Sequence, residues 1–404
     1  MKRIAILLAS LSPLLLAASC GSSGSGDNIV TTPSAGAGTG GTGTGTPAGD
    51  TFTGSFAITE HGRFDEPWAG AFIPGTRHLF VTEKPGTAKI VDTSNGAVIS
   101  VSGLPQVDYG GQGGLGDVAF LPSESSPSIG TRTIYLTWAE AGAGDTRGAV
   151  AGRGSLVCSD QGACTIEGLD IIWRQTPKVT GRGHYSHRLA FSPDERYLFI
   201  SSGDRQKLEP AQDTSNTLGS IVRLNLDGTA AAGNPLADRD SPSDQIWSWG
   251  HRNVLGLAFD EAGNLWDMEH GPAGGDEINI VKRGANYGWP VRSNGDHYDG
   301  RNIPDHSPDD GFEKFVVNWT PVIAPGNMIF YKGGLFAGWK GDMLMPGLKT
   351  QALIRVDVNG TQAREAARFD MGQRLRAVIE GPDGALWVLE DGENGRLLEL
   401  RPGT

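Results

Sequence analysis

The chain has 404 residues and a formal net charge of −12, with 20% charged and 38% hydrophobic residues. That length supports a large core, and an acidic chain excludes the Lys/Arg-rich surfaces that nucleic-acid backbones require, so no nucleic-acid partner is expected. Its 60 glycines and 10 tryptophans, with no sustained heptads, point to short strands joined by tight turns.

Residues 1–19 read as an export signal: Lys2 and Arg3 precede an apolar run that ends in small residues. "LAASC" has the form of a bacterial lipobox, so Cys20 is expected to carry an N-terminal lipid, with plain signal cleavage as the alternative. The chain is then an exported bacterial protein, periplasmic or anchored to the membrane as a lipoprotein. Residues 20–51 are Gly/Ser/Thr-rich and cannot bury a core, which makes them a tether. "GAGTGG" from Gly36 to Gly41 matches a dinucleotide-binding fingerprint, but no strand precedes it and no helix follows.

From residue 52 to 404 one pattern recurs. An apolar stretch meets a Pro/Asp/Gly turn and a second alternating stretch, at 69–84, 116–140, 187–204, 255–271, 327–348 and 375–392. These copies start roughly 50–70 residues apart, and further strand pairs follow several of them. The expectation is all-β, a six-bladed β-propeller of four-stranded antiparallel sheets with few helices. One large sandwich is the alternative. Cys158 and Cys164 flank "SDQGA", turn material suited to a small disulfide-closed loop.

Five stretches are too polar or too Gly-rich for their places beside strands: 110–118, 181–191, 248–259, 269–290 and 372–384. In "GHYSHRLAF" His184 and His187 stand three apart, which leaves open a metal pair, a base with a bystander, or two polar residues at a strand mouth. Arg374 and Arg376 share one face of a strand start. Composition alone gives a polar, mixed-charge mouth where loops meet.

The ordered set "GQGGL", "GHYSHRLAF", "SSGDR", "GHRNVLGLAF", "EHGPAGGDEINIV", "GANYGWP" and "RLRAV" resembles the pyrroloquinoline quinone (PQQ)-dependent soluble glucose and aldose sugar dehydrogenases, which include sorbosone dehydrogenase-like proteins. The resemblance covers nearly the whole chain after the tether. It implies a six-bladed propeller with PQQ and Ca²⁺ over the central channel, oxidising the C1 hydroxyl of aldoses to lactones.

Residue by residue, the resemblance implies His184 as general base, Asp204 as its orienting acid, and Arg252 beside the quinone carbonyls. Gln112, Asn253, Lys349, Arg374, Arg376 and Ser293 fall at cofactor-binding positions. Gly271 and Pro272 would offer carbonyls to a Ca²⁺ that also touches PQQ, and Glu277 with the Tyr287 carbonyl a second, structural Ca²⁺ site. His187 departs from the family, where Gly or Ser is usual, and inherits no role. "APGN" at 324–327 also departs from the usual "APSG", and the Asp/His-rich segment 294–312 reads as a solvated loop.

The implied partners are an aldose substrate and an electron acceptor, either a quinone pool or a cytochrome. A metal-dependent lactone hydrolase and a non-catalytic sugar-binding propeller are the competing readings. The first wants several carboxylate or Asn side chains around one metal; the second would have lost the base and the cationic residues.

Overall fold

Short apolar runs separated by glycine-rich turns can satisfy their backbones only by pairing with one another. In the computed structural model, which describes residues 52, 54–159 and 162–403, they do so almost throughout. The export signal, Cys20 and the tether lie outside the described residues. Helical structure among the described residues amounts to three short 3₁₀ turns, and no helix there is long and apolar enough to cross a membrane.

Each of the six recurring stretches folds as an antiparallel hairpin. The pairs are Pro67–Phe72 with His78–Glu83, Leu115–Phe120 with Thr131–Ala141, and Ser186–Phe191 with Tyr197–Ser202. They continue with Val254–Phe259 and Leu265–Glu269, Ile329–Phe330 and Met343–Pro346, and Leu375–Glu380 and Leu386–Glu390. Two further strands extend each hairpin. The outcome is four four-stranded sheets, one eight-stranded sheet and a two-stranded ribbon. The eight-stranded sheet is two antiparallel meanders joined where Val98–Ser102 runs parallel to Cys164–Arg174. Cys158 and Cys164 face each other in register at the tip of a long hairpin and are joined by a disulfide, as their spacing predicts.

The last sheet is closed by the first strand. Phe56–Phe64 pairs with Gly395–Pro402, so the two ends of this region share one sheet. The first strands of the six hairpins touch in a closed circuit, from Pro67–Phe72 through Leu115–Phe120, Ser186–Phe191, Val254–Phe259, Ile329–Phe330 and Leu375–Glu380 back to Pro67–Phe72. Apolar side chains fill the space between the two meanders of the eight-stranded sheet, where Trp68, Phe80 and Ile90 pack with Leu136, Trp138 and Ile166, and the space between neighbouring sheets, where Trp266 and Met268 pack with Met343 and Met345. Each such side chain taken fully from water contributes about 1.5–3 kcal/mol.

Arg188 ties the circuit together. Its Nε donates to Leu255 O at 2.7 Å, Nη1 to Asp117 Oδ1 at 3.1 Å and Nη2 to Gly326 O at 2.7 Å. One buried guanidinium thus satisfies backbone and carboxylate groups from two other sheets and from the loop before Ile329–Phe330, a task its planar fork suits. The first strands also carry register shifts near their starts, between Leu115 and Val118, Ser186 and Leu189, Val254 and Gly256, and Leu375 and Ala377. Such bulges re-aim side chains at a sheet end, and here they gather the polar stretches.

Candidate active site

His184, Ser186 and His187 all have left-handed backbones, with φ of 47°, 58° and 52°. That conformation is costly for residues with a Cβ and persists only where surroundings hold it. Arg205 is one such support: fully buried, it donates to Gly183 O (2.8 Å) and Gly181 O (2.5 Å), and its guanidinium lies 3.7 Å from the centre of the Tyr185 ring. Gln112 is another, its Oε1 accepting the His184 backbone N–H at 2.7 Å.

The His184 ring then meets Asp204, with Nδ1 and Oδ1 2.7 Å apart. Asp204 is wholly buried. Its Oδ1 also accepts the Gln206 N–H (2.8 Å), and its Oδ2 accepts the Trp289 indole N–H (2.9 Å). Burial would raise the Asp204 carboxyl, but His184, the Gln206 amide and Arg252 outweigh it and hold it below the usual carboxylate range. An ionised carboxylate only accepts, so Nδ1 carries the imidazole proton and Nε2 keeps its lone pair. Burial, aided by the positive charge of Arg252, holds His184 below the ordinary histidine value against the pull of Asp204. The ring lines a pocket of about 140 Å³ with Gln206, Leu208, Arg252, Pro272, Trp289, His297 and Tyr298.

Arg252 and Asn253 are placed by a residue that the motifs left unremarked. Glu269 Oε2 accepts both backbone N–H groups, at 2.6 and 3.2 Å. Arg252 Nη1 donates to His270 O (2.9 Å) and Nη2 to Tyr298 Oη (3.2 Å), while its Nε is buried without a protein partner. Asn253 Oδ1 accepts from Ser186 Oγ at 3.2 Å.

A second space, a cleft of about 390 Å³, opens at the centre of the strand circuit. Gln112, His187 and Asn253 line it with Trp68, Lys84, Arg374 and Arg376. Lys84 pairs with Glu66 at 2.7 Å, and Asp391 accepts from Arg374 (2.8 Å) and Arg376 (2.6 Å). Glu66 and Asp391 line the same cleft. Lys84 has no signal in its own stretch; only folding brings it here. Lys349 is exposed and lies outside the lining, although its neighbour Leu348 belongs to it.

His187 faces this cleft and not the His184 pocket. Thr137 Oγ1 lies 2.9 Å from His187 O, to which it donates, and 2.8 Å from Nδ1. The ring stacks on Trp68, with centroids 4.9 Å apart and planes 11° from parallel. Gly116 makes room for it, since a Cβ there would come within 1.9 Å of His187 Cε1. Burial pushes the imidazole down to about 3, so it is neutral.

Beside Arg252 lies a small cavity lined by Glu269, Gly271, Gly275, Glu277, Tyr287 and Ser293. Gly271 is fixed through its N–H on Asp276 Oδ1 (2.9 Å), and Asp276 Oδ2 accepts Ala324 N–H of the "APGN" loop (2.6 Å). Ser293 Oγ accepts the Gly295 N–H at 3.2 Å. Glu269 and Glu277 stand directly opposite across paired strands. Burial and then the Glu269 charge push Glu277 well above the usual carboxylate range. His251 and Asp267 join Glu269 in a buried cluster that could hold a cation, and Asp267 Oδ2 lies 3.5 Å from His251 Nδ1 without accepting a hydrogen bond. Facing carboxylates beside backbone carbonyls are an oxygen donor set that fits calcium.

The segment 294–312 is more ordered than a solvated loop. The Asp310 side chain is fully buried, accepting the Ser307 N–H (2.9 Å) and Phe312 N–H (3.0 Å) and pairing with His306 at 3.1 Å.

The Glucose / Sorbosone dehydrogenase family matches residues 64–399. This chain belongs to that family. It is 36% identical over 345 residues to the aldose sugar dehydrogenase YliI of Escherichia coli, covering 84% of this chain and 91% of that protein. It is 27% identical to quinoprotein glucose dehydrogenase B of Acinetobacter calcoaceticus over 78% of this chain and 80% of the relative. Among solved structures, the apo form of the soluble aldose sugar dehydrogenase from Escherichia coli superposes with a TM-score of 0.80 at 35% identity, covering 86% of this chain and all of that one. The PQQ-bound aldose sugar dehydrogenase from Streptomyces coelicolor gives 0.67 at 25% identity, covering 87% of this chain and 99% of that one. Family membership supports an oxidoreductase that acts on sugars, and the quinoprotein relatives support PQQ as cofactor.

Proposed function

We propose that this protein is a six-bladed β-propeller dehydrogenase that oxidises the C1 hydroxyl of aldoses to lactones, using PQQ and Ca²⁺, with His184 as general base. The observation that carries the reading is the buried Asp204–His184 pair, whose imidazole borders a pocket shared with Arg252. The closed circuit of first strands and the strand shared by both chain ends support the propeller.

The residues fit the cofactor. Gln112, Asn253, Arg374, Arg376 and Lys84 line a cleft in which three cations outnumber Glu66 and Asp391, as a polyanion requires, and the unpartnered Arg252 Nε offers a donor to an oxygen. Lys349 would join them from the rim, and Ser293 stands next to the small cavity. Gly271 and Pro272 would present carbonyls to a calcium beside the cofactor, and Glu277 with Tyr287 would hold a second ion. When bound, the quinone supplies a two-electron hydride acceptor, which the calcium makes more electrophilic.

His184 Nε2 takes the C1 hydroxyl proton as C1 gives up its hydride, leaving the lactone carbonyl. The imidazolium so formed is stabilised by Asp204, itself fixed by Trp289 and Gln206. Arg252 faces negative charge developing on oxygen. Retention of His184, Arg252, Arg374 and Arg376 argues against a non-catalytic binding protein. The export signal and lipobox sequence support delivery of electrons at a membrane, to a quinone pool or a cytochrome, by a lipoprotein tethered through Cys20. Purified protein loaded with PQQ and Ca²⁺ should reduce an artificial dye on addition of aldoses. No PQQ binding, or no turnover across a sugar panel, refutes the reading, and chelator-sensitive lactone hydrolysis would replace it.

A further inference from the structure

Tyr298 is the most exposed of the large hydrophobic residues described, at 75%, yet it is not on a loose surface. It sits in the four-residue turn His297–Gly300, closed by the Gly300 N–H on His297 O at 2.9 Å. The turn rises from the two-stranded ribbon, in which Gly295–Asp296 pairs with Ala273–Gly274, the residues directly after Gly271-Pro272. The strands approach so closely that a Cβ on Gly295 would lie 2.2 Å from Gly274 O. Asp299 braces the far side by accepting the Arg301 N–H (3.1 Å) and Nε–H (2.9 Å). An aromatic ring has thus been pinned in water at the edge of the His184 pocket.

Its surroundings say what it faces. Tyr298 Oη accepts from Arg252 Nη2 at 3.2 Å. The Arg252 guanidinium lies 5.2 Å from the Trp289 ring centre and 5.8 Å from that of Tyr298, within cation–π range of both. Trp289, Arg252 and Tyr298 therefore form one continuous wall of the pocket that holds His184, Gln206 and His297. A pyranose needs such a wall. Its C–H face is apolar and prefers an aromatic ring, while its hydroxyls need the polar groups opposite.

We propose that Tyr298 is the sugar-stacking residue of this pocket, covering the apolar face of the substrate ring and, through its hydroxyl, positioning Arg252. This rests on the aldose reading above and names the residue that gives it its preference for ring-closed sugars over open-chain polyols.

The test uses the PQQ- and Ca²⁺-loaded protein with D-glucose and sorbitol, comparing wild type, Tyr298→Ala and Tyr298→Phe. Two readouts are taken: steady-state turnover, and saturation-transfer NMR of the sugar. The exposed side chain makes both variants foldable, which an unchanged circular dichroism spectrum checks. Tyr298→Ala should raise KM for glucose about tenfold with kcat changed far less, and weaken glucose saturation transfer. Tyr298→Phe should keep KM and the NMR signal but lower kcat, because only the bond to Arg252 is lost. Wild-type KM and saturation transfer in Tyr298→Ala overturn the proposal while leaving the aldose reading intact. An inactive wild type refutes that reading instead, and the NMR contrast between wild type and Tyr298→Ala still decides whether Tyr298 holds the sugar.

Discussion

His184 and His187 stand three residues apart, are both buried and both have left-handed backbones, yet they serve different spaces. His184 has a carboxylate partner and a pocket with room for a substrate. His187 has a hydroxyl partner, a tryptophan against its face and a glycine opposite that leaves it space. The difference lies in the partner. A carboxylate stabilises the protonated ring and makes a usable base; a threonine hydroxyl between two neutral groups does not. Charge sensitivity should therefore appear as chemistry at His184 and as stability at His187.

The largest contrast is catalytic. His184→Ala should lower kcat by roughly 10²–10⁴-fold while the PQQ absorption spectrum still reports binding. Asp204→Asn should also be impaired, because its amide no longer stabilises the imidazolium. Since His184 is held below its ordinary value, the acidic limb of the kcat/KM profile should fall below pH 6.5.

Next comes packing. Gly116→Ala should destabilise the fold by about 1–3 kcal/mol in chemical denaturation, since the added methyl meets His187. His187→Gly in the same chain should recover part of that loss, and a double-mutant cycle measures the coupling. Additive effects would show that the two positions do not share the space.

Stability against pH tests the burial of His187. The folded His187 is depressed to about 3, so between that value and 6.5 the unfolded chain binds a proton that the folded chain refuses. Stability should fall as pH drops through this window, by about 1.4 kcal/mol per unit from this residue. His187→Gln should flatten that slope.

The smallest expected effect is at the facing glutamates. Calcium at ten times its Kd should stabilise the protein by about 1.4 kcal/mol, read as a rise in Tm. Glu277→Gln should abolish the increment. Lowering the pH should weaken it, because Glu277 is held toward its protonated form and must lose that proton to bind the ion.

Much of this was legible in the chain because it is local. All six recurring stretches are hairpins, and the turn residues between Cys158 and Cys164 foretell their bridge. The strand Phe56–Phe64 was not legible, since its partner lies at the other end of the chain and its own residues alternate weakly. The site divides in the same way. His184, Asp204 and Arg252 sit in marked motifs, and folding brings them together. Glu269 and Trp289 stand in marked motifs too, but their work, like that of Lys84 and Tyr298, is done through contacts that no spacing reveals. The Asp/His composition of 294–312 suggested solvent, but Asp310 is the buried tie of that segment and Tyr298 is what it presents.

The most direct test is the absorption spectrum of PQQ- and Ca²⁺-loaded protein, followed by stopped flow after mixing with an aldose, in wild type and His184→Ala. The predicted result is rapid conversion to the reduced cofactor in wild type and an intact, unreduced cofactor spectrum in the variant. Reduction of His184→Ala at the wild-type rate would contradict the assignment of His184 as the base.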